Sequence, residues 1–179
     1  MGEIRKSAPL VHPFAAVMFP NEELHHQSLD LLQKKFGEPL GLGRIFKVMD
    51  FTNYYVKEFG ENLKKQFIVF REPRSVEKLY QSKIWSNEVE LTIQEPKDKQ
   101  RFVNIDPGYL APSKFVLFSS KDFSHRIHVG EGIFAEITLL FMHGKFHKMG
   151  WTYNDYWDEE NRKFLTDMRQ KIVSISRGN

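Results

Sequence analysis

The sequence predicts an α+β fold: a mostly antiparallel sheet with a ferredoxin-like βαββαβ start, extended by C-terminal hairpin strands and a closing helix. Three observations carry that expectation. Up to Asp106, apolar runs and helical stripes alternate in the order strand, helix, strand, strand, helix, strand. Beyond it, apolar runs are separated by tight Gly-bearing reversals at Gly130-Glu131-Gly132 and His143-Gly144, which are hairpin signals. Near the C-terminus, Phe164, Leu165, Met168, Ile172 and Ile175 recur at helical spacing.

Taken in order, residues 1–9 read as a polar, flexible arm closed by Pro9, leaving 10–179 as a single domain. Residues 11–19 run apolar as a buried strand. Asn21 is the expected N-cap of the first helix, with Glu22 and Glu23 at the positive end of its dipole. Leu24, Ser28, Leu31, Leu32 and Phe36 form its inward stripe, and Gly37 stops it. Gly41-Leu42-Gly43 leads into a second strand at 44–51, and 54–60 forms a short helix or turn. A third strand covers 65–71. Pro73 and Ser75 open a second helix reaching about Glu90, with Val76, Leu79, Tyr80 and Ile84 inward. Residues 95–100 form a charged loop. Strands at 101–106 and 114–119 flank a type II turn with Pro107 and Gly108 at its centre. A hairpin pairs 124–129 with 133–142, and a final helix spans 158–176.

Composition narrows the chemistry. Of 179 residues, 41% are hydrophobic and 27% charged, which excludes a disordered chain and a membrane span. There is no cysteine, so thiolate zinc sites, iron–sulfur clusters, disulfides and cysteine nucleophiles are excluded. The N-terminus lacks a signal-peptide apolar stretch, and the expected location is cytoplasmic. A net charge of +3, with no basic run and no interleaved aromatic stripe, argues against nucleic acid. His125 and His128 are three apart, which on a strand separates them to opposite faces and prevents joint metal coordination. No Gly-rich phosphate loop and no nucleophile elbow are present. The cofactor is left unknown.

The hairpin is the most informative segment. Alternation puts His125, Ile127, Val129, Ile133, Ala135, Ile137 and Leu139 on a core face, and Ser124, Arg126, His128, Phe134, Glu136 and Thr138 on a polar face. With a three-residue loop, Val129 faces Ile133, His128 faces Phe134, Arg126 faces Glu136 and Ser124 faces Thr138; a two-residue loop would instead set Arg126 opposite Ala135. One reading of the polar face is a solvated sheet with a single cross-strand ion pair. The other is a binding surface. There Arg126 grips an anion, His128 moves a proton, and Glu136 orients the guanidinium. Asn104 sits between Val103 and Ile105, where strand propensity is poor, and shares a face with Asp106. Polar clusters also stand out at Lys83 and Asn87, at Asp50, Tyr54, Tyr55 and Glu58, and at Tyr153, Asp155 and Tyr156.

At Phe51-Thr52-Asn53-Tyr54-Tyr55, Trp85-Ser86-Asn87-Glu88, 103–110, Ser124-His125-Arg126-Ile127, Ala135-Glu136-Ile137-Thr138-Leu139 and Trp151-Thr152-Tyr153-Asn154-Asp155-Tyr156, the chain resembles an uncharacterised bacterial and archaeal family, domain of unknown function 4416. It differs at Asn154, where the family pattern has proline. The resemblance spans about 10–175; it implies one complete unit and marks these segments as the place to seek a site, without implying an activity.

The expected site is therefore Asn104, Asp106, Arg126, His128 and Glu136, binding a small anionic ligand such as a phosphate-bearing one. His128 with Glu136 or Asp106 is the candidate acid–base pair should the protein be an enzyme. The rival expectation is a non-enzymatic assembly module, a homodimer formed through the sheet by Phe134 and Leu140.

Overall fold

Every residue from 11 to 19 is buried, on both faces of the first strand. A continuous apolar run of this kind suits a central strand with covering layers on either side. The computed structural model describes residues 7–93 and 102–178. The elements are β1 (Leu10–Phe19), α1 (Glu22–Phe36), β2 (Pro39–Lys47), a 3₁₀ turn (Val48–Asp50), α2 (Val56–Phe59), β3 (Lys64–Phe70), β4 (Arg74–Ser75), α3 (Gln81–Thr92), β5 (Asn104–Ala111), β6 (Lys114–Ser119), β7 (Ile127–Gly130), β8 (Ile133–Met142), β9 (Lys145–Lys148), α4 (Asn154–Trp157) and α5 (Glu159–Gly178).

The strands form one open sheet in the order β2-β3-β1-β5-β6-β8-β7, with β4 beside β1 and β9 beside β8, and every pair is antiparallel. One face carries α1 and α3, packed on Ala15, Val17, Phe19, Ile68, Phe70 and Ile105. The other carries α5, whose Leu165, Met168 and Ile172 meet Phe14, Phe67, Val69, Leu110 and Phe115. Each such buried side chain contributes about 1.5–3 kcal/mol. Tyr156 completes this core, its ring stacked on Phe67 at 4.7 Å and 18°. None of the described helices is long and apolar enough to cross a membrane.

Most expected elements are present, and Asn21 caps α1 as expected by accepting from the Leu24 N–H. Four features differ. Strand β2 runs from Pro39 to Lys47, so Gly41 and Gly43 lie inside it rather than before it, and 48–50 form a 3₁₀ turn in place of the expected strand to 51. A Cβ on Gly41 would stand 2.5 Å from the Met168 sulfur, and one on Gly43 would stand 3.4 Å from the Phe164 ring, so these glycines let α5 approach. Helix α3 begins at Gln81, because Ser75 pairs with Leu10 in β4 and Lys78 adopts a left-handed φ of 58°. Pro107 and Gly108 make no turn; they pair with Ala15 and Phe14 inside β5, and the reversal falls instead between Ala111 and Lys114. The charged loop at 95–100, Arg101, and residues 1–6 of the N-terminal arm lie outside the described residues.

The fourth difference is the hairpin. Its loop has two residues, Glu131 and Gly132, with φ of 51° and 75°, as a tight primed turn requires. Gly130 rather than Val129 faces Ile133, and an irregularity at Val129 restores His128 opposite Phe134. Residues 124–125 form a turn outside the strand, so Ser124 has no Thr138 partner. The expected core face is open at this border, where Ile127 is 74% exposed. A second bulge, at Thr138, shifts β8 against β6, so Phe115 faces Leu139 while Leu117 faces Glu136. By that shift Phe134 and Leu140, expected on one face, point to opposite ones.

Both long borders of the sheet are interrupted. At β2 the register shifts twice. Along the outer edge of β8, β7 pairs with one end and β9 with the other. Between them the Trp151 indole N–H donates to the Ile137 carbonyl (2.9 Å) and the Thr152 hydroxyl to that of Thr138 (2.6 Å).

Candidate functional site

On the α5 face, each apolar row ends in polar groups at the same end of the sheet. Along β3 the row Val69, Phe67 continues to Lys65; along β5, Leu110 continues to Asp106 and Asn104; along β6, Phe115 and Leu117 continue to Ser119. Helix α5 covers only the apolar end. The polar end lines a cavity of about 620 Å³, closed by residues of 48–58, 119–126 and 152–156.

The sheet forks here. Pairing between β5 and β6 stops at Gly108–Leu117, while β6 runs on along β8 to Ser119. At Gly108 the strands approach so closely that a Cβ would lie 2.1 Å from the Val116 carbonyl oxygen. Past that point Ile105 turns its backbone groups into the gap, and α3 satisfies both. The Ile105 N–H donates to Glu90 Oε1 (2.7 Å), and Lys83 Nζ donates to the Ile105 carbonyl (2.9 Å). Pro107, two residues on, directs its nitrogen to the same side and has no N–H to lose there. Lys83 also donates to Asp106 Oδ1 (3.3 Å), and the Asn104 amide donates to Asp106 Oδ2 (2.8 Å). Burial pushes the Asp106 carboxyl up, but Lys83, Lys65 and the Asn104 amide more than offset it, and its pKa lies below the usual 3.8. Asp106 is a carboxylate at neutral pH.

A second cluster comes from the hairpin. The Glu136 side chain, 1% exposed, accepts from Arg126 Nε (2.7 Å) and His125 Nε2 (3.0 Å) on one oxygen and from the Thr138 hydroxyl (3.3 Å) on the other. Arg126, with its side chain 6% exposed, also donates from Nη1 to the Ser119 hydroxyl (2.8 Å) and the Lys121 carbonyl (2.9 Å). Among the described residues nothing accepts from Nη2. The turn at 124–125, closed by the Arg126 N–H on the Phe123 carbonyl, brings His125 round to Glu136. Its ring stacks on Trp151 at 4.9 Å and 12°. With a carboxylate at Nε2, that nitrogen carries the proton.

Lys65 and Asp155 form the third part, paired at 2.6 Å with the ammonium 4.6 Å from the centre of the Tyr156 ring. The Tyr156 hydroxyl is buried and has no hydrogen-bond partner among the described residues. Burial, then the negative charges of Asp155 and Asp106, hold its pKa well above 10, so it is a neutral phenol. Phe51, Tyr54, Tyr55, Phe123 and Tyr153 add aromatic rings to the lining, and the Lys121 ammonium sits 5.9 Å from the Tyr54 ring centre.

Of the five residues singled out from sequence, Asn104, Asp106, Arg126 and Glu136 line this one cavity. His128 does not: it is exposed, its ring edge-on to Phe134 at 5.3 Å, and His125 holds the contact with Glu136 instead. Lys83, Asn87, Tyr54, Tyr55, Glu58, Tyr153, Asp155 and Tyr156, noted as separate clusters in the sequence, line it too. Lys65 and Ser119 escaped notice, although a lysine in phase with Phe67 and Val69 was a readable signal. Among the described residues no three His, Asp or Glu side chains are grouped to hold a metal ion.

Residues 9–172 match a protein family described as a domain of unknown function (DUF4416). No curated protein and no solved structure matches the chain.

Proposed function

We propose that this chain, which belongs to the DUF4416 family, binds a small anionic molecule in the cavity at the forked end of its sheet. One observation carries the reading. The Arg126 guanidinium, in the lining of the cavity and 4.7 Å from the Phe123 ring centre, is fixed by Glu136, Ser119 and the Lys121 carbonyl, and among the described residues its Nη2 makes no hydrogen bond. A guanidinium oriented in advance loses little entropy on gripping a carboxylate or phosphate oxygen. The segments that carry the family resemblance contribute Tyr54, Asn87, Asp106, Arg126, Glu136 and Asp155 to the same lining, which supports looking for the ligand there.

Calorimetric titration with inorganic phosphate, nucleotides and sugar phosphates tests this. Arg126→Ala should weaken whichever anion binds by about tenfold to a hundredfold, the equivalent of a charged hydrogen bond of about 1.5–3 kcal/mol. Affinity unchanged in that variant, or no binding of any anion to the unmodified protein, would overturn the reading.

A second reading, a dimer formed through the sheet, is favoured by the exposed apolar side chains Ile127, Val129 and Ile137 near the β7 border. Light scattering decides it: a monomer at high concentration removes it. The βαββαβ start is taken as ferredoxin-like, supported by the antiparallel order β2-β3-β1-β5 with α1 and α3 on one face. A chain without cysteine has no disulfide to protect, which suits a cytoplasmic location.

A further inference from the structure

The carboxylates of the cavity differ in how openly they stand in it. Glu136 accepts three hydrogen bonds, and Asp155 accepts from Lys65 and from the Tyr156 N–H. Both are engaged in holding the walls. Asp106 stands more openly: as in Asp155, each carboxylate oxygen accepts one hydrogen bond where two are possible, but its side chain is 28% exposed against 12% for Asp155 and 1% for Glu136. Asn87, which projects from α3 into the same lining, makes no side-chain hydrogen bond among the described residues, and the Tyr156 hydroxyl is likewise unpartnered and buried.

An ionised carboxylate with free lone pairs cannot face the anionic part of a ligand; it needs donors. Two kinds exist, cations and neutral O–H or N–H groups. Lys83 at 3.3 Å, and Lys65 acting through its charge, already supply positive charge to Asp106, so another ammonium would be repelled. Neutral donors are left, and Asn87 and the Tyr156 phenol complement hydroxyl groups because each can both give and accept. The rings of Tyr54 and Tyr153 add apolar faces to the lining on which the C–H side of a sugar ring can lie. A volume of about 620 Å³ falls within the usual range for small-molecule sites.

We infer that the ligand is a hydroxylated anion, a sugar phosphate or sugar acid, whose anionic group meets Arg126 and whose hydroxyls donate to Asp106. This rests on the reading of Arg126 given above. Titrating the full chain with glucose 6-phosphate, ribose 5-phosphate and glucuronate, against hexyl phosphate and inorganic phosphate, tests it. At least one hydroxylated anion should bind tenfold or more tighter than hexyl phosphate, and the phosphate and carboxylate arms identify the anionic group. Asp106→Asn, which keeps the side-chain shape, should remove that margin while leaving hexyl phosphate within twofold. If hexyl phosphate binds the unmodified protein as tightly as every sugar, the hydroxyl inference falls and the anion reading stands. If no anion binds, or Arg126→Ala changes nothing, the anion reading falls and this one with it. Should Asp106→Asn fail to fold, the comparison of ligands on the unmodified protein decides alone.

Discussion

His25 shows what a single side chain does for this fold. Its Nε2 lies 2.8 Å from Gln66 Oε1, the Gln66 amide donates onward to the Gly43 carbonyl (2.7 Å), and its ring stacks on Phe19 at 4.0 Å. The chain of bonds ties α1 through β3 to β2. Burial lowers the His25 pKa below 6.5, against the opposing pull of the Gln66 hydrogen bond. A folded pKa below the unfolded one makes the contribution to stability complete above the ordinary value and lost as pH falls through it. The urea midpoint should therefore drop between about pH 7.5 and 5.5, and drop less in His25→Gln; equal drops would remove His25 as the cause. Legibility at this scale depended on context. Asn104 stood out because asparagine between valine and isoleucine is a poor strand residue, and it does line the cavity. His125 and His128 exchanged places because strict alternation assumes a strand, and 124–125 is a turn.

At the level of elements, two glycines that look alike in sequence differ in what surrounds them. A methyl group on Gly108 would collide with the backbone oxygen of Val116, which cannot move without breaking the β5–β6 ladder. One on Gly41 would meet the flexible end of Met168. Gly108→Ala should cost about 3 kcal/mol or more, at or above the usual range for overpacking, and Gly41→Ala about 1 kcal/mol. Denaturant midpoints for the two variants check this, and equal costs would mean the sheet yields at the fork. Strong periodicity made β1, α1, β3 and α5 readable. Pro107-Gly108 was not, because the pair has the chemistry of a turn and only the empty side of a fork makes proline acceptable within a strand. The late start of α3 was equally hidden: the pairing of Ser75 with Leu10 is a contact between residues distant in sequence.

For the molecule as a whole, both helical layers rest on the same strands, since β1 gives Phe14 and Ala16 to one face and Ala15 and Val17 to the other. Neither layer can be lost without exposing the back of the other, so unfolding should be a single transition. Trp85 reports on the α1–α3 layer and Trp157 on the α5 layer; with Trp151 replaced by Phe, the emission of Trp157→Phe and Trp85→Phe variants should each follow the same midpoint as circular dichroism. Two separated midpoints would refute it. The broad architecture was legible because layer order follows from local pattern, whereas the convergence of segments distant in sequence on one cavity is a product of the tertiary pairing.

The broken borders of the sheet have a consequence for how this protein behaves in company. A fibril grows when one molecule offers the next a straight, unsatisfied backbone rail. Here one rail is jogged at its glycines and the other is occupied by two short strands with an indole and a hydroxyl wedged between them. Crowded copies meet only short or jogged borders among the described strands, and this geometry works against ribbon-like aggregation.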